Sequence, residues 1–300
     1  MMSDFSELVF APGADEASLR VSDGCVFLDV PMPLHSGPQT ERIFRGAIGR
    51  SDGASQLVER DSFLAGAAVA PKEMSPREAA SFLYNELFRV LGERHLCRVW
   101  NYVPRINERT LGEENYREFN AGRLDAFRKH YGAEFRPRLP AASALGTQSG
   151  AMALAFLASS EKPVHFENPE QIPACDYPKD YGHQPPAFAR GTMMKLDGDS
   201  RWFLAGTASI KGHLTLGQTC AEQLGLTLDN IRLMKRTMSV PSGATTEWKV
   251  FVRNARDIDE CRAIFAKAYP DDLERTMFLQ ADICRSCLLV EIEAVFSSAE

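Results

Sequence analysis

The end of the chain limits what it can fold into more than any other stretch. Residues 288–296 read Leu-Leu-Val-Glu-Ile-Glu-Ala-Val-Phe, a run of strand length in which two glutamates interrupt apolar side chains. Side chains alternate across a strand, so Val290, Ile292, Ala294 and Phe296 form one wholly apolar face. Leu289, Glu291, Glu293 and Val295 form the other. A carboxyl bordered by leucine and valine is partly desolvated, and desolvation penalises its charged form. Glu291 is therefore expected to hold a proton near neutral pH and to be able to donate it. The same pattern also fits an edge strand with a wet face, on which Glu291 would only meet solvent.

With 300 residues, 44% of them hydrophobic and 25% charged, the chain has material for one large core or two smaller ones. Its 40 acidic residues outnumber 34 Lys and Arg, and no basic run is interleaved with aromatics, which argues against a nucleic-acid partner. No apolar stretch approaches the roughly eighteen residues needed to span a bilayer. Met1 to Phe10 holds Asp4 and Glu7 in place of a basic segment leading an apolar one, so a cytoplasmic protein without a membrane partner is expected. The 7 cysteines are odd in number and irregularly spaced, which suits reduced thiols. Cys284 and Cys287 form a Cys-x-x-Cys pair, but no second pair or spaced histidines accompany it, and no metal is expected. Cys287 is expected to be a small buried apolar residue.

Ser75-Pro76-Arg77-Glu78 combines a capping box with proline at the first helical position and starts a helix that Gly92 ends. A strand over 96–103 and a helix over 113–130 follow, then a strand or short buried element over 149–159. Residues 160–190 carry six prolines and read as a connecting loop. The second half repeats the alternation: a strand over 202–210, a helix over 218–238, a strand over 247–253, a helix over 258–268 capped by Asp257, and closing strands over 277–283 and 287–296. Both halves predict an α+β fold of two lobes. The first ninety residues add little to this reading.

Six strings, in order from about residue 96 to the end, resemble those of the chorismatase family, whose members act on chorismate and share the fold of the reactive-intermediate deaminase (RidA-like) superfamily. They are Trp100-Asn101-Tyr102-Val103-Pro104 with Ile106-Asn107; Tyr116 with Phe119-Asn120-Ala121-Gly122-Arg123; Pro140-Ala141-Ala142 with Gly146-Thr147; Tyr177-Pro178 with Tyr181-Gly182, Pro186, Phe188 and Arg190; Gly206-Thr207-Ala208-Ser209-Ile210 with Gly212-His213; and Cys284 with Glu291-Ile292-Glu293-Ala294. The resemblance implies two RidA-like (chorismate-mutase-like) lobes, each a mixed sheet with helices on one face. The lobes would span 1–160 and 191–300, joined by a proline-rich connection at 161–190 that contributes to the site.

It further implies that Glu291 is a general acid that protonates the enolpyruvyl methylene of chorismate, with no cofactor. Arg123 and Arg190 would face this dianionic substrate as fork-shaped donors, and Tyr177 and Thr207 would add hydroxyl contacts. Aromatic-forming members resemble this chain in having glycine at the position of Gly206 and cysteine at that of Cys284, while hydrolytic members tend to carry alanine at the former. The expected reaction is thus formation of 3-hydroxybenzoate and pyruvate. Hydrolysis to a dihydroxycyclohexadiene carboxylate, or a RidA-like imine deaminase or small-carboxylate binder, stay open as alternatives. Two departures stand out: His183-Gln184 after Tyr181-Gly182, and Leu214-Thr215-Leu216 after His213. A cationic contact of the family could be lost there, with Lys211, Lys179 or His183 as substitutes; Lys211 and His213 are accordingly counted among the substrate-binding candidates. The sequence does not choose between monomer and trimer.

Overall fold

The computed structural model describes residues 6–46, 48–196 and 198–298; Asp4, used above, lies outside them. In chain order come β1 (Ser6–Pro12), β2 (Ser18–Ser22), β3 (Cys25–Val30), β4 (Leu34–Ser36), β5 (Glu41–Gly46), β6 (Ile48–Asp52), β7 (Ser55–Arg60) and β8 (Phe63–Val69). Helix α1 (Pro76–Leu91), β9 (His95–Pro104), helix α2 (Asn115–Tyr131), β10 (Ala141–Thr147), β11 (Ala153–Ser159) and β12 (Val164–Phe166) follow. The remainder is β13 (Gly191–Leu196), β14 (Asp199–Thr207), β15 (Ile210–Lys211), β16 (Leu214–Thr215), α3 (Cys220–Thr237), β17 (Thr245–Val252), α4 (Ile258–Ala268), β18 (Thr276–Gln280), β19 (Asp282–Ile283) and β20 (Val290–Ser297).

Two seven-stranded mixed sheets dominate, ordered β19-β10-β9-β11-β8-β7-β6 and β12-β13-β14-β20-β17-β18-β4. Helices α1 and α2 cover the outer face of the first through Leu83, Leu87, Phe119 and Phe127, which pack on Val99, Val103, Leu154 and Phe156. Helices α3 and α4 cover the second through Leu224, Ile231, Cys261 and Phe265, which pack on Val250, Val290, Ile292 and Phe296. This is the expected α+β arrangement, with helices on one face of each sheet. The other faces meet in a shared core of Trp100, Tyr102, Ala155, Phe203, Ala205 and Phe251, closed by a four-stranded sheet ordered β2-β3-β1-β5 that inserts Leu8, Phe10 and Leu28. Burying each such leucine or phenylalanine contributes about 1.5–3 kcal/mol, so the inter-sheet layer holds the two halves in fixed relation.

Helix α1 starts at the predicted capping box, with Ser75 Oγ accepting from the Glu78 N–H and the Glu78 carboxylate accepting from the Ser75 N–H. Thr219 and Glu222 build the same device at α3. Asp257 does not cap α4: a short 3₁₀ turn over Ala255–Asp257 runs into the helix, and the Asp257 carboxylate accepts from Asn254 Nδ2 at 2.9 Å instead.

The expected strand over 277–283 is broken at Ala281, whose N–H donates to the Val252 carbonyl at 3.1 Å. Its first part, β18, stays in the second sheet, while β19 crosses to pair with Leu145 and Gly146 of the first. The short β4 crosses the other way, pairing with β18. Each large sheet thus contains a strand from the far end of the chain. Among the described residues, the first ninety supply eight of the twenty strands. The proline-rich segment is mostly irregular but includes β12, which pairs with β13.

Candidate active site

On β20 the alternation places Val290, Ile292, Ala294 and Phe296 under helices α3 and α4 and turns Glu291 and Glu293 toward the first sheet. Both glutamates are buried, at 4% and 2% exposure, so the wet-face alternative does not apply. Glu291 borders a cavity of about 250 Å³ whose wall includes Tyr116 and Arg123 of α2, Ser143 of β10, Gly206 of β14 and the loop over 284–287. The proline-rich segment lays Tyr177, Tyr181, Pro186, Phe188 and Arg190 along the same cavity.

Burial, followed by the charge of nearby Glu293, pushes the Glu291 carboxyl up to about 8, against the weaker opposing pull of Arg98, Arg190 and Arg253. At neutral pH it therefore carries a proton. Glu293 behaves in the opposite way. Burial pushes its carboxyl up too, but Lys249 and Arg98, with hydrogen bonds from Lys249 and Ser143, more than offset this and hold it below the usual value. Two carboxyls on one strand face are thus kept in different protonation states, the arrangement that separates a proton donor from a fixed anion.

Gly206 sits in a β-bulge. Between the pairs Leu204↔Ala294 and Thr207↔Ile292, β14 has one residue more than β20. The bulge brings the Gly206 backbone against Glu291, and a Cβ there would overlap Glu291 Oε1 and lie 2.8 Å from Cδ. Cys284 Sγ is 4.0 Å from Glu291 Oε2. Burial, then the nearby Glu291, push its thiol up to about 12, so Cys284 faces the acid as a neutral S–H and not as a thiolate nucleophile.

Of the four arginines that border the cavity, Arg117, Arg123, Arg190 and Arg285, the last three lie over aromatic rings there. Arg123, 1% exposed, donates from Nη2 to Asn120 Oδ1 at 2.6 Å and lies over Phe119 and Phe188 at 4.8 and 5.7 Å, while its buried Nε has no hydrogen-bond partner. Arg190 donates to Tyr177 Oη at 2.6 Å and lies over the Phe188 ring at 4.9 Å. Arg285 lies over Tyr181 at 4.2 Å and Tyr177 at 5.3 Å, and donates from Nη1 to the His213 carbonyl at 2.7 Å. Its Nη2 is also buried without a partner. Donors held in the protein interior without acceptors favour an anionic guest.

Of the residues singled out from sequence, Glu291, Cys284, Gly206, Arg123, Tyr177 and Arg190 come together here. Thr207, Lys211 and His213 do not line the cavity. The Thr207 hydroxyl is turned to the Ala205 carbonyl at 2.9 Å, and Lys211 is exposed and paired with Glu170 at 3.5 Å. His213 offers its carbonyl to Tyr181 and Arg285, and its ring rests edge-on against Tyr181. Cys287 is exposed, contrary to expectation, because a turn closed by the Leu288 N–H to the Arg285 carbonyl sends Leu288 into the core instead. Gln184 is occupied with Arg128 at 3.1 Å.

Sequence reasoning missed Arg285 and the parts that hold it. Arg253, at the end of β17, donates from Nη2 to the carbonyls of Ile283 and Arg285 at 3.1 and 2.9 Å and from Nε to that of Leu288 at 2.7 Å. Gln223 of α3 donates to the Cys287 carbonyl at 2.9 Å and accepts the Leu289 N–H at 2.8 Å. The 284–289 loop is stapled from both sides.

The N-terminal profile of the chorismatase FkbO/Hyg5-like family matches residues 45–158. A 3-hydroxybenzoate synthase of Streptomyces hygroscopicus is 36% identical over 265 residues, covering 82% of this chain and 77% of that one. A chorismatase of the same organism is 33% identical over 250 residues, covering 78% and 72%. A chorismatase crystal structure superposes with a TM-score of 0.81 at 28% identity, over 97% of this chain and 93% of that one. The protein is an enzyme, and its chain belongs to the chorismatase family. No helix among the described residues is long and apolar enough to cross a membrane.

Proposed function

We infer that the enzyme converts chorismate to 3-hydroxybenzoate and pyruvate with Glu291 as general acid. Chorismate is a small dianion with an enolpyruvyl ether, and its carboxylates match the guanidiniums of Arg123, Arg190 and Arg285 that border the cavity. Glu291 gives its proton to the ether's methylene carbon, leaving an oxocarbenium-like centre. The neighbouring ring hydroxyl then attacks the carbon bearing the ether, the carbon–oxygen bond breaks, and pyruvate departs. Opening of the resulting epoxide with loss of a ring proton yields the aromatic acid, and the Glu291 carboxylate takes that proton back. The atoms of chorismate equal those of the two products, so neither water nor a cofactor is consumed.

The observation that carries this reading is a buried carboxyl pushed up to about 8 that opens onto a cavity lined by guanidiniums. The product choice is supported by Gly206 and Cys284 at the positions where aromatic-forming relatives resemble this chain. Incubating the protein with chorismate, with no cofactor added, should release pyruvate and 3-hydroxybenzoate in equal amounts, read by chromatography with mass detection. A diene diol as main product would overturn the product assignment alone; unchanged chorismate would overturn the activity.

A further inference from the structure

Behind Glu291 lies a row of buried charges that the reaction does not touch. Glu293 shares the strand face of Glu291 yet does not border the cavity. Arg98 Nη2 reaches Glu293 Oε2 at 2.6 Å, and Lys249, its register partner on β17, reaches Oε1 at 2.8 Å. Lys249 is bonded on its other side to Glu41. Ser143 closes the near end: its hydroxyl donates to Glu293 and accepts from Arg98 and, at 3.2 Å, from the Gly206 N–H. One donor and two acceptor positions are all in use, so this hydroxyl is a fixed node although it borders the cavity.

Removing four charges from water costs several kcal/mol per ion before pairing, and apolar side chains of the same volume would pack as well or better. Stability alone therefore does not account for the row. The neighbouring group whose protonation state the reaction depends on is Glu291. We propose that Glu293, fixed by Arg98, Lys249 and Ser143 and backed by Glu41, is a positioning residue that keeps a permanent negative charge behind Glu291 and thereby holds it in its proton-bearing form between turnovers. The proposal rests on Glu291 being the acid.

The charged groups acting on Glu291 are Glu293 on its own strand, Arg98 of β9, Arg190 ahead of β13 and Arg253 after β17, with Tyr116 of α2 and Cys284 present as neutral groups. Burial and Glu293 favour the acid form, and the three guanidiniums oppose it. Without Glu293, burial would be left to oppose the three guanidiniums, and Glu291 would ionise at lower pH.

The test uses the full chain with its glutamate carboxyl carbons labelled with carbon-13, the Glu291 resonance being assigned by its loss in Glu291→Gln. In Glu293→Gln, which keeps the shape and removes the charge while turning one acceptor oxygen into an amide donor, the Glu291 titration should fall by about one pH unit or more. The pH at which pyruvate release from chorismate declines should fall with it. Glu41→Gln perturbs the far end of the row and leaves Glu293 paired with Arg98 and Ser143; it should move the titration the same way by a smaller amount, and it decides the matter if Glu293→Gln does not fold. A Glu291 titration that stays in place or rises in the folded variants overturns the proposal. A titration that falls while the activity profile stays put sinks the assignment of Glu291 as the acid, and with it the catalytic meaning of the charge row.

Discussion

Gly206 and Glu291 stand so close across the β14–β20 bulge that the space a methyl group on residue 206 would fill is already held by the Glu291 carboxyl. The acid's position is therefore set by the absence of a side chain on the opposing strand. Glu291 is buried, and the open space beside its carboxyl is the cavity it borders.

Gly206→Ala should accordingly displace the proton donor from its place over the substrate. Misplacement of a reacting group by about 1 Å can cost on the order of a hundredfold in rate, and a fall of that size in 3-hydroxybenzoate formation is expected. The displaced carboxyl also leaves room for water near the oxocarbenium-like carbon, so the diene diol should rise as a fraction of product. Product ratios by liquid chromatography check both; an unchanged rate and ratio would remove residue 206 from product control.

Glu291→Gln keeps the shape and removes the acid, and turnover should fall by roughly a hundredfold or more. The same variant should be more stable than the parent under alkaline conditions. A carboxyl raised to about 8 in the folded state binds more protons there than in the unfolded chain, so its contribution to stability declines as pH rises from the ordinary carboxyl value of 4.5 to about 8 and is level beyond. The gap in urea-unfolding free energy between Glu291→Gln and the parent should widen across that window and then stop widening. A gap independent of pH would show that Glu291 titrates normally.

Arg123→Lys retains charge but gives up the planar guanidinium fork, whose Nε has no hydrogen-bond partner in the protein. Loss of one charge-assisted hydrogen bond, about 1.5–3 kcal/mol, should raise KM roughly tenfold or more with a smaller change in kcat. Steady-state kinetics on chorismate separate the two, and an unaltered KM would exclude Arg123 from substrate binding.

What was legible in the sequence was local. A period of two put Glu291 on the face opposite Ile292, and the capping box at Ser75 placed α1 to the residue. The N-terminal strands are short and carry scattered charges, so their periodicity is weak. Their signal lies in the turns: Asp23-Gly24 closes β2 onto β3, and Gly53-Ala54 closes β6 onto β7, with positive φ at Asp23, Gly24 and Gly53. Arg285 owes its place to Arg253, thirty-two residues earlier, and Glu293 owes its charge to Lys249 through strand register. Ser143 stands among Ala141, Ala142 and Ala144 like any small strand residue. Such partners are set by the pairing of distant segments, and no string of neighbouring residues announces them.

The staple at Gln223 offers the sharpest separation of loop position from chemistry. Gln223 touches neither the cavity nor Glu291, yet its side chain satisfies the Cys287 carbonyl and the Leu289 N–H from a site that is itself buried. Gln223→Leu conserves much of the volume and leaves both backbone groups without their partner, at a cost of about 1–3 kcal/mol for each group that water cannot reach. Unfolding in urea should register that loss. The 284–289 loop should loosen at the same time, which would weaken the hold on Arg285 and Cys284 and raise KM more than it lowers kcat, since the acid on β20 stays in place. Arg253 anchors the loop on its other side, so Gln223→Leu should remain folded at room temperature. Hydrogen exchange at the Leu289 amide, protected in the parent, should accelerate in the variant; protection as strong as the parent's would mean that Arg253 alone fixes the loop.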